Sequence, residues 1–305
     1  MSGGPLLVLV GPTAVGKTAA AIALAQHFGA EVINADSVQV YRGLDIGSAK
    51  PTPAERAQAP HHLVDVADPD EEMSAARFAQ LADQAIADIQ RRGRRVLVAG
   101  GTGLYIRALL FGLAPAPPVD AALRASLRRQ WEEQGAAALH ARLASLDPLS
   151  AQRLPANDRQ RVLRALEVCL QTGEPFSRRQ QEHGFRQPRH AHGVLGLERP
   201  RAELNARIEA RCRQMWEGGL LQEVAGLLAA GVSPAARSLQ SLGYQQALRV
   251  LQGLQPPQEA LLEMMQKTRA YAKRQMTWFR GLQGINWCPA EDLAACAALA
   301  RPFWL

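Results

Sequence analysis

Residues 11–18 form a phosphate-binding motif near the start of the chain. The octapeptide fits the pattern G-x-x-x-x-G-K-[ST], and its members are Gly11, Pro12, Thr13, Ala14, Val15, Gly16, Lys17 and Thr18. Glycines let backbone N–H groups turn toward phosphate oxygens, and the N-terminus of a following helix favours negative charge. Lys17 can reach the terminal phosphate, and the hydroxyl of Thr18 can ligate Mg²⁺. The motif predicts a diphosphate or triphosphate ligand and leaves the reaction open.

A candidate catalytic carboxylate is Asp36, which directly follows the apolar run 31–35 (EVINA). A P-loop NTPase usually has an acid at the end of a later strand to hold its metal. Here the strand predicted around 96–99 ends in Gly100-Gly101 instead. Asp36 therefore has two candidate roles, as a metal ligand or as a general base.

Thr102 belongs to a second glycine cluster, Gly100-Gly101-Thr102-Gly103. It stands at the N-cap position of the helix predicted to follow, so capping alone could explain a threonine there. Contact with a substrate is compatible with capping, and we keep both roles.

Strand and helix patterns alternate through the first third of the chain. The predicted strands cover 6–10, 31–35 and 94–101, and the predicted helices cover 17–28, 74–92 and 102–111. This alternation is typical of a parallel sheet with crossover helices. Because the carboxyl ends of parallel strands meet at one edge of a sheet, we expect Asp36 and Thr102 to lie close to the phosphate motif.

A proline-rich segment at 112–119 (GLAPAPPV) interrupts this pattern and predicts a domain boundary. Residues 120–171 are Arg-rich and helical in pattern, and 172–190 are predicted as a loop. An apolar run at 194–197 predicts a strand that returns to the sheet. The remaining predicted helices cover 201–230, 239–252 and 257–282.

The predicted fold is α/β, with a P-loop-type parallel sheet, flanking helices and an inserted all-helical domain. The catalytic core is assigned to residues 1–114 and 187–305, and the helical insertion to 115–186.

The positive charge of the chain is unevenly distributed. The 305 residues carry a net charge of +7, yet residues 1–114 hold 10 Lys and Arg against 11 Asp and Glu. The remainder is therefore basic, which favours a catalytic head joined to a polyanion-binding part. An Arg-rich composition without any binding role is the alternative.

Composition excludes several classes of protein. The hydrophobic fraction of 47% is globular, and no apolar run is long enough to cross a bilayer. The four cysteines lack metal-ligand spacing, and no charged segment precedes an apolar stretch at the N-terminus. We therefore expect a cytoplasmic protein with reduced thiols. No heptad pattern favours assembly, so we expect a monomer.

Long motifs across the chain resemble the tRNA dimethylallyltransferase (isopentenyltransferase) family. They occur in the family's order and span nearly the whole chain, as GPTAVGKT, NADSVQVYRGLDIGSAKP, HHLVDVADPDEEMSAARF, GGTGLY, NDRQRVLRALEV, TGEPFS, LGYQQ and AKRQMTWFRG. The resemblance implies transfer of a dimethylallyl group from dimethylallyl diphosphate to N6 of the adenosine on the 3′ side of the tRNA anticodon. It also implies that the phosphate motif holds a diphosphate leaving group, with Mg²⁺ as cofactor.

The resemblance assigns roles to single residues. Thr13, Lys17 and Thr18 match the family's diphosphate and Mg²⁺ contacts, Asp36 matches its general base, and Arg211 matches an arginine placed near the diphosphate. The catalytic set is then Asp36, Thr102 and Arg211. The helical insertion is expected to grip the anticodon stem-loop.

Further segments match the family's tRNA contacts. They comprise Asp36, Ser37, Val38 and Gln39, then Thr102, Arg124, Gln160, Arg161, Val162, Leu163 and Arg164, then Gln240, Ser241, Leu242, Gly243, Tyr244 and Gln245, and finally Lys273, Arg274, Gln275, Met276, Thr277, Trp278, Phe279 and Arg280.

Helical spacing gives some of these residues a second interpretation. Arg161 and Arg164 share one helix face, and Arg269, Lys273 and Arg280 share another, so each set could be a solvated charged face. The opposite face of the last predicted helix is apolar, and we predict that it packs in the core. It consists of Met265, Ala272, Met276 and Phe279. Trp278 could pack or could stack on a base.

Rival functions remain at this point. A small-molecule P-loop kinase would use Asp36 to deprotonate a hydroxyl, and a related enzyme would prenylate free adenine nucleotides. An RNA-binding protein could hold a nucleotide only as a structural ligand. His61 and His62 lack a third ligand at metal spacing, which favours a structural role for both.

Overall fold

The structure of this protein is a computed structural model that describes residues 4–304. It divides into two compact units, one formed by Met1–Leu110 with Arg189–Leu305 and the other by Phe111–Pro188. The second unit is therefore inserted in the sequence of the first. Among residues 4–304, every helix is too short or too polar to cross a bilayer.

The larger unit contains a parallel sheet. Its strands within the described residues are β1 (Leu6–Val10), β2 (Ala30–Asn34), β3 (His61–His62), β4 (Arg95–Gly100), β5 (His192–Glu198) and β6 (Ile285–Pro289). Their order is β3-β2-β4-β1-β5-β6, so β1 pairs with β4 on one side and β5 on the other. β1, β2 and β4 are almost entirely buried, as expected for strands covered on both faces; β1 is wholly apolar, whereas β2 also buries Glu31 and Asn34. The predicted parallel α/β sheet is confirmed.

Helices cover the sheet and build the insertion. They are α1 (Lys17–Phe28), α2 (Pro53–Gln58), α3 (Ala75–Arg91), α4 (Gly103–Phe111), α5 (Ala121–Leu146), α6 (Pro148–Arg153), α7 (Arg159–Thr172), α8 (Phe176–His183), α9 (Arg201–Glu217), α10 (Leu220–Ala229), α11 (Tyr244–Leu251), α12 (Pro257–Arg280) and α13 (Leu293–Trp304). A short 3-10 turn, Ser238–Gln240, precedes α11. Helices α5 to α8 belong to the inserted unit.

The strand register places the motif residues at one edge of the sheet. Val10 pairs with Gly100 of β4 and with Gly196 of β5, and Asn34 pairs with Ala99. The chain leaves β1 into the phosphate motif and leaves β2 toward Asp36. The pairing of these strands therefore brings the polar loops that follow them to the same edge of the sheet.

The prediction of a loop at 172–190 was wrong, because that stretch contains α8. The helix is polar, and its sequence lacks the apolar periodicity that would have indicated it. It forms because Asp147, which is fully buried, accepts bonds from the Ser177 amide at 2.8 Å and the Ser177 hydroxyl at 2.5 Å. Tertiary contacts within the insertion therefore override local composition.

The long helices expected at 201–230 and 239–252 are each interrupted. Gly219 adopts a positive φ of 107° between α9 and α10, and the extended residue Ser241 separates the 3-10 turn from α11. Within the insertion, Gly135 interrupts the helical backbone of α5, with a φ of 82°. The sequence pattern did not indicate α2, β3, β6 or α13.

The inserted unit has a core of its own. Helices α5 and α7 supply most of it, and the buried members are Leu127, Leu139, Leu143, Ala151, Val162, Leu163, Ala165 and Leu166. Such a separate core is what a compact domain requires.

Glu31 is a buried carboxylate at the start of β2. Its side chain is 7% exposed and accepts hydrogen bonds from Arg92 and from His62, the latter at 2.7 Å. The bond from Arg92 has the largest effect and lowers the pKa of Glu31, burial opposes it, and His62 lowers the pKa further, to about 2. His62 thus has a structural contact.

We expect Glu31→Gln to lower the free energy of unfolding at pH 7 by about 3 kcal/mol, the value of this pKa shift. A depressed carboxylate pKa stabilises the fold above the unfolded value of 4.5, and the contribution is lost as the pH falls toward 2. Urea unfolding at pH 7 and pH 3 measures it. The exposed pair Arg178–Glu182 supplies the control, since Glu182→Gln should cost under about 1 kcal/mol. Equal losses would contradict the prediction.

Candidate active site

The phosphate motif forms a tight loop between β1 and α1. Gly11 adopts a φ of 152°, and a Cβ there would lie 2.9 Å from the carbonyl oxygen of Leu197 in β5. Only glycine fits so close to a neighbouring strand. The first-turn amides of α1 have no intrahelical acceptor, as at any helix start, so they remain for an anion.

Cationic side chains hold the carbonyl groups of this loop. Lys17 Nζ donates to the Gly11 and Pro12 carbonyls at 2.9 and 2.8 Å. Arg207 Nε donates to the Ala14 carbonyl at 2.9 Å, and Arg199 Nε donates to the Val15 carbonyl at 2.8 Å. With its carbonyls engaged, the loop is left with amides and positive charge for a ligand, which suits a phosphate group.

Lys17 is electrostatically linked to the rest of the site. Burial lowers the pKa of its amine to about 8, while Asp36 raises this pKa and Arg211 lowers it. Burial also lowers the pKa of Arg211, and the negative charge of Asp36 raises it. Two cations and one carboxylate therefore meet beside the loop.

Asp36 lies two residues beyond the end of β2. Its Oδ1 accepts the amides of Val38 at 2.9 Å and Gln39 at 3.3 Å, so the loop is folded around this oxygen. Within residues 4–304, Oδ2 accepts no hydrogen bond. Asp36, Lys17 and Thr18 line the same small pocket, as the sequence predicted from strand topology.

Thr102 joins two strand ends. It stands at the start of α4, but its Oγ1 accepts the Ser37 amide at 3.0 Å and donates to the Ser37 hydroxyl at 3.3 Å. The side chain therefore fixes the loop after Asp36, whereas its backbone carbonyl accepts the Tyr105 amide of α4 at 3.0 Å. Side-chain capping, one of the two expected roles, is not what this hydroxyl does.

Arg211 faces the site from α9. Its guanidinium lies 3.5 Å from the Ser48 carbonyl, which also accepts Gln39 Nε2 at 3.0 Å. The segment 45–47 before it is held by Glu223, whose carboxylate accepts three consecutive backbone amides. Loop and arginine are thus positioned together.

The segment 240–245 divides into exposed and buried residues. Gln240 is exposed, whereas Tyr244 is fully buried and donates to Glu223 at 2.6 Å. Burial raises the pKa of Tyr244. Tyr244 therefore supports the segment 45–47 through Glu223. Ser241, Leu242 and Gln245 are half-buried.

Helix α12 presents two different faces. Lys273, Arg274, Thr277 and Arg280 are exposed, while Gln275 and Phe279 are buried. The predicted core stripe is buried at Met265, Ala272 and Phe279, and Met276 is half-buried. Arg269, expected on the charged face, pairs with Glu209 at 2.5 Å.

Trp278 packs inward from α12. A Cβ on Gly103 would lie 2.6 Å from its indole ring. The half-buried ring therefore covers the start of α4, beside the Thr102 that follows β4.

All three arginines of the insertion that were expected to contact tRNA have carboxylate partners. Arg124 forms a bidentate pair with buried Glu167, at 2.6 and 2.9 Å, and Arg164 joins the same carboxylate at 3.1 Å. Arg161 lies 3.4 Å from Asp158. Val162 and Leu163 are buried in the core, and Gln160 is exposed.

The sequence interpretation missed Arg199, Arg207 and Tyr271. Arg207 precedes Arg211 by four residues on α9, and this spacing could have indicated a shared face. Tyr271 precedes Gln275 by four residues, and its hydroxyl approaches the Gln275 and Thr102 side chains. Burial has the largest effect on Tyr271 and raises its pKa to about 12.

A divalent cation fits the donor set of this pocket. Mg²⁺ usually takes one or two protein oxygens and completes its shell with phosphate oxygens and water. Thr18 and Asp36 supply a hydroxyl and a carboxylate to one pocket. Residues 4–304 contain no cluster of three His, Cys, Asp or Glu side chains that could hold a metal ion.

A family model described as IPP transferase matches residues 39–282. A tRNA dimethylallyltransferase of Anaeromyxobacter sp. (strain Fw109-5) is 52% identical over 293 residues, which cover 95% of this chain and 97% of that protein. Another, from Sorangium cellulosum (strain So ce56), is 52% identical over 277 residues, covering 91% of this chain and 88% of that one.

Solved structures are similar over nearly the whole chain. The full-length tRNA isopentenylpyrophosphate transferase from Bacillus halodurans is 36% identical with a TM-score of 0.72, covering 98% of this chain and 96% of that one. A eukaryotic dimethylallyltransferase acting on tRNA gives a TM-score of 0.80 at 29% identity, covering 98% of this chain and 77% of that one.

Proposed function

Because the chain belongs to the IPP transferase family, which includes the tRNA dimethylallyltransferases, we propose that it prenylates tRNA. It transfers a dimethylallyl group from dimethylallyl diphosphate to N6 of the adenosine on the 3′ side of the anticodon, and diphosphate leaves. The observation that carries the proposal is the shared pocket of Lys17, Thr18 and Asp36. It unites a phosphate-binding loop with a carboxylate that has a free oxygen.

The donor side of the reaction belongs to the loop 11–18. The allylic carbon tolerates positive charge as its C–O bond breaks, so the demanding step is the departure of the diphosphate. Lys17, Arg211 and the first-turn amides of α1 stabilise the negative charge that develops on this leaving group. The bonds from Lys17 to the Gly11 and Pro12 carbonyls hold its amine at this loop, and donors held in place favour electrostatic catalysis.

The acceptor side belongs to Asp36. The N6 lone pair of adenine is delocalised into the ring, which makes it a weak nucleophile. Asp36 Oδ2 orients the amine and accepts its proton as the new C–N bond forms. Thr102 positions the loop that follows Asp36, through its bond with Ser37.

The target adenosine must leave the stacked anticodon loop to reach this pocket. The exposed cations of α12, Lys273, Arg274 and Arg280, contact phosphates of the RNA in this proposal. The insertion 111–188 grips the anticodon stem-loop through its own basic residues. We also propose that the protein acts as a monomer.

Mg²⁺ is the proposed cofactor, held by the Thr18 hydroxyl together with the diphosphate oxygens. When bound, it neutralises part of the negative charge on the leaving group.

The function is tested by offering labelled donors to the purified protein. Labelled dimethylallyl diphosphate is mixed with tRNA, with AMP or with no acceptor, and labelled ATP is tested in parallel. Prenyl label on tRNA alone supports the proposal. Phosphoryl transfer from ATP would identify a kinase, prenyl label on AMP a nucleotide prenyltransferase, and binding without turnover an RNA-binding protein. Each of these three outcomes would overturn the proposal.

Arg207 should contribute to donor binding through the loop that it holds. We expect Arg207→Gln to raise KM for dimethylallyl diphosphate by about tenfold, because a hydrogen bond from a charged group to the Ala14 carbonyl is lost. The dissociation constant for tRNA should stay within about twofold, as the donor loop alone is affected. Steady-state kinetics and filter binding measure the two constants.

Arg213 provides the control on the same helix. It is exposed and makes no hydrogen bond or ion pair within residues 4–304. Arg213→Gln should leave KM unchanged, and an equal rise in both variants would show a general charge effect instead.

A further inference from the structure

Gln275 connects the phosphate loop to the second glycine cluster. Its Oε1 accepts the Thr13 amide at 2.8 Å, and its Nε2 donates to the Gly101 carbonyl at 2.8 Å. The side chain is 7% exposed. Both ends of this amide group are therefore occupied inside the protein.

The fit around this amide is close. A Cβ on Gly101 would lie 2.4 Å from Gln275 Nε2 and 3.5 Å from Lys17 Nζ. Only a glycine leaves room for the glutamine at this place. The loop after β1 and the turn after β4 are thus joined through a side chain from α12, which comes far later in the chain.

The family resemblance places Gln275 in a segment that contacts tRNA. Its burial and its two internal hydrogen bonds argue for a different role, because an amide enclosed in the protein and bonded to two loops is not exposed to RNA. Its neighbours Lys273, Arg274 and Thr277 are exposed on the same helix.

We propose that Gln275 is a positioning residue for the diphosphate site, which braces the phosphate loop against the Gly101 turn and does not touch tRNA. This inference rests on the proposed function, since it assumes that the loop binds a diphosphate. The brace keeps the loop open in the shape that the anion requires, so its benefit appears in donor binding. The hydrogen bond from the Thr13 amide to Gln275 is then structural. The first-turn amides of α1 bind the anion.

The alternative is that the glutamine carbonyl occupies the place of a phosphate oxygen and is displaced when the anion binds. The two ideas predict opposite signs. Loss of a brace weakens anion binding, whereas loss of a competitor for the Thr13 amide strengthens it.

The test is Gln275→Met, which keeps the length of the side chain and removes both hydrogen bonds. Calorimetry with inorganic pyrophosphate and Mg²⁺, without tRNA, should show affinity about tenfold weaker, the scale of losing buried hydrogen bonds. KM for dimethylallyl diphosphate should rise by a similar factor, while kcat at saturating donor and the tRNA dissociation constant change less than about twofold. Tighter pyrophosphate binding would overturn the brace, and so would unchanged pyrophosphate binding with weakened tRNA binding.

Two further variants keep the test decisive. Gln266→Met removes an exposed glutamine from the middle of α12 and should change neither constant. If Gln275→Met does not fold, as judged by circular dichroism, Gly101→Ala tests the same contact, because its methyl group displaces Gln275 Nε2. Weaker pyrophosphate binding by that variant supports the brace, and unaltered binding contradicts it. If the unsubstituted protein binds no pyrophosphate, the diphosphate assignment of the loop fails first, which distinguishes the two proposals.

Discussion

Asp36→Asn should lower kcat by about 10²–10⁴-fold, the usual range for the loss of a general base. The asparagine keeps an oxygen at the Oδ1 position, which can still accept the Val38 and Gln39 amides and preserve the loop. What it loses is the basic oxygen at the Oδ2 position. The dissociation constant for tRNA should therefore change by less than about twofold. Single-turnover kinetics with prebound tRNA separates the chemical step from binding.

The control for Asp36 is Glu217→Gln at the end of α9. This carboxylate is exposed and makes no hydrogen bond within the described chain, 4–304. Its replacement removes one negative charge without touching the pocket, and turnover should be unchanged. If Asp36→Asn kept its turnover but needed far more Mg²⁺, then Asp36 would be a metal ligand and the general-base assignment would be wrong.

Lys17→Met should lower kcat by about 10²–10³-fold, comparable to removing one preorganised donor from a site of developing charge. Two effects combine. The leaving group loses a cation, and the Gly11 and Pro12 carbonyls lose the amine that holds them. KM for dimethylallyl diphosphate should rise as well, while tRNA affinity stays unchanged. Steady-state kinetics with the donor varied at saturating tRNA provides both constants.

Lysine at this place is not replaceable by a longer cation. The Lys17 amine donates to two adjacent carbonyls, those of Gly11 and Pro12. The planar guanidinium of Lys17→Arg presents its donors in a rigid fork instead of on one compact ammonium, so this variant should not restore turnover. Lys267→Met is the matched control, because Lys267 is exposed and its partner Glu263 on α12 keeps Arg249 as a second cationic partner when the lysine is removed. Full activity of Lys17→Met would remove the basis for the leaving-group assignment.

The phosphate loop could be predicted from sequence because its chemistry is contained in eight consecutive residues. Asp36 could be placed beside it because strand topology brings the ends of β1 and β2 to one edge. Both inferences needed only local patterns and one rule of parallel sheets.

Arg207 and Gln275 could not be predicted in the same way. They reach loop residues 193 and 262 positions earlier in the chain, and no local pattern specifies such contacts. The burial of Gln275 also separates it from its exposed neighbours, although all lie in one motif. The motif assigned Gln275 and its neighbours Lys273 and Arg274 to one group of tRNA contacts. The helix buries the glutamine and exposes the two cations.

The missed elements have a related cause. Strand β6 is only half-buried along most of its length, so its sequence lacks the continuous apolar run of a central strand. Helix α8 depends on the buried carboxylate Asp147. Both elements depend on residues that lie far from them in the sequence, β6 on strand β5 and α8 on Asp147.

The nested order of the chain has a consequence for its synthesis. Strand β1 leaves the ribosome well before its partner β5, which follows only after the whole insertion. At typical elongation rates the delay is about 10–40 s, during which the backbone N–H and C=O groups on the β5 side of β1 stay unpaired and open to wrong pairing. The insertion, with its own core, can fold in that interval. Nascent chains arrested before residue 192 should therefore bind chaperones strongly, and release should coincide with the emergence of β5.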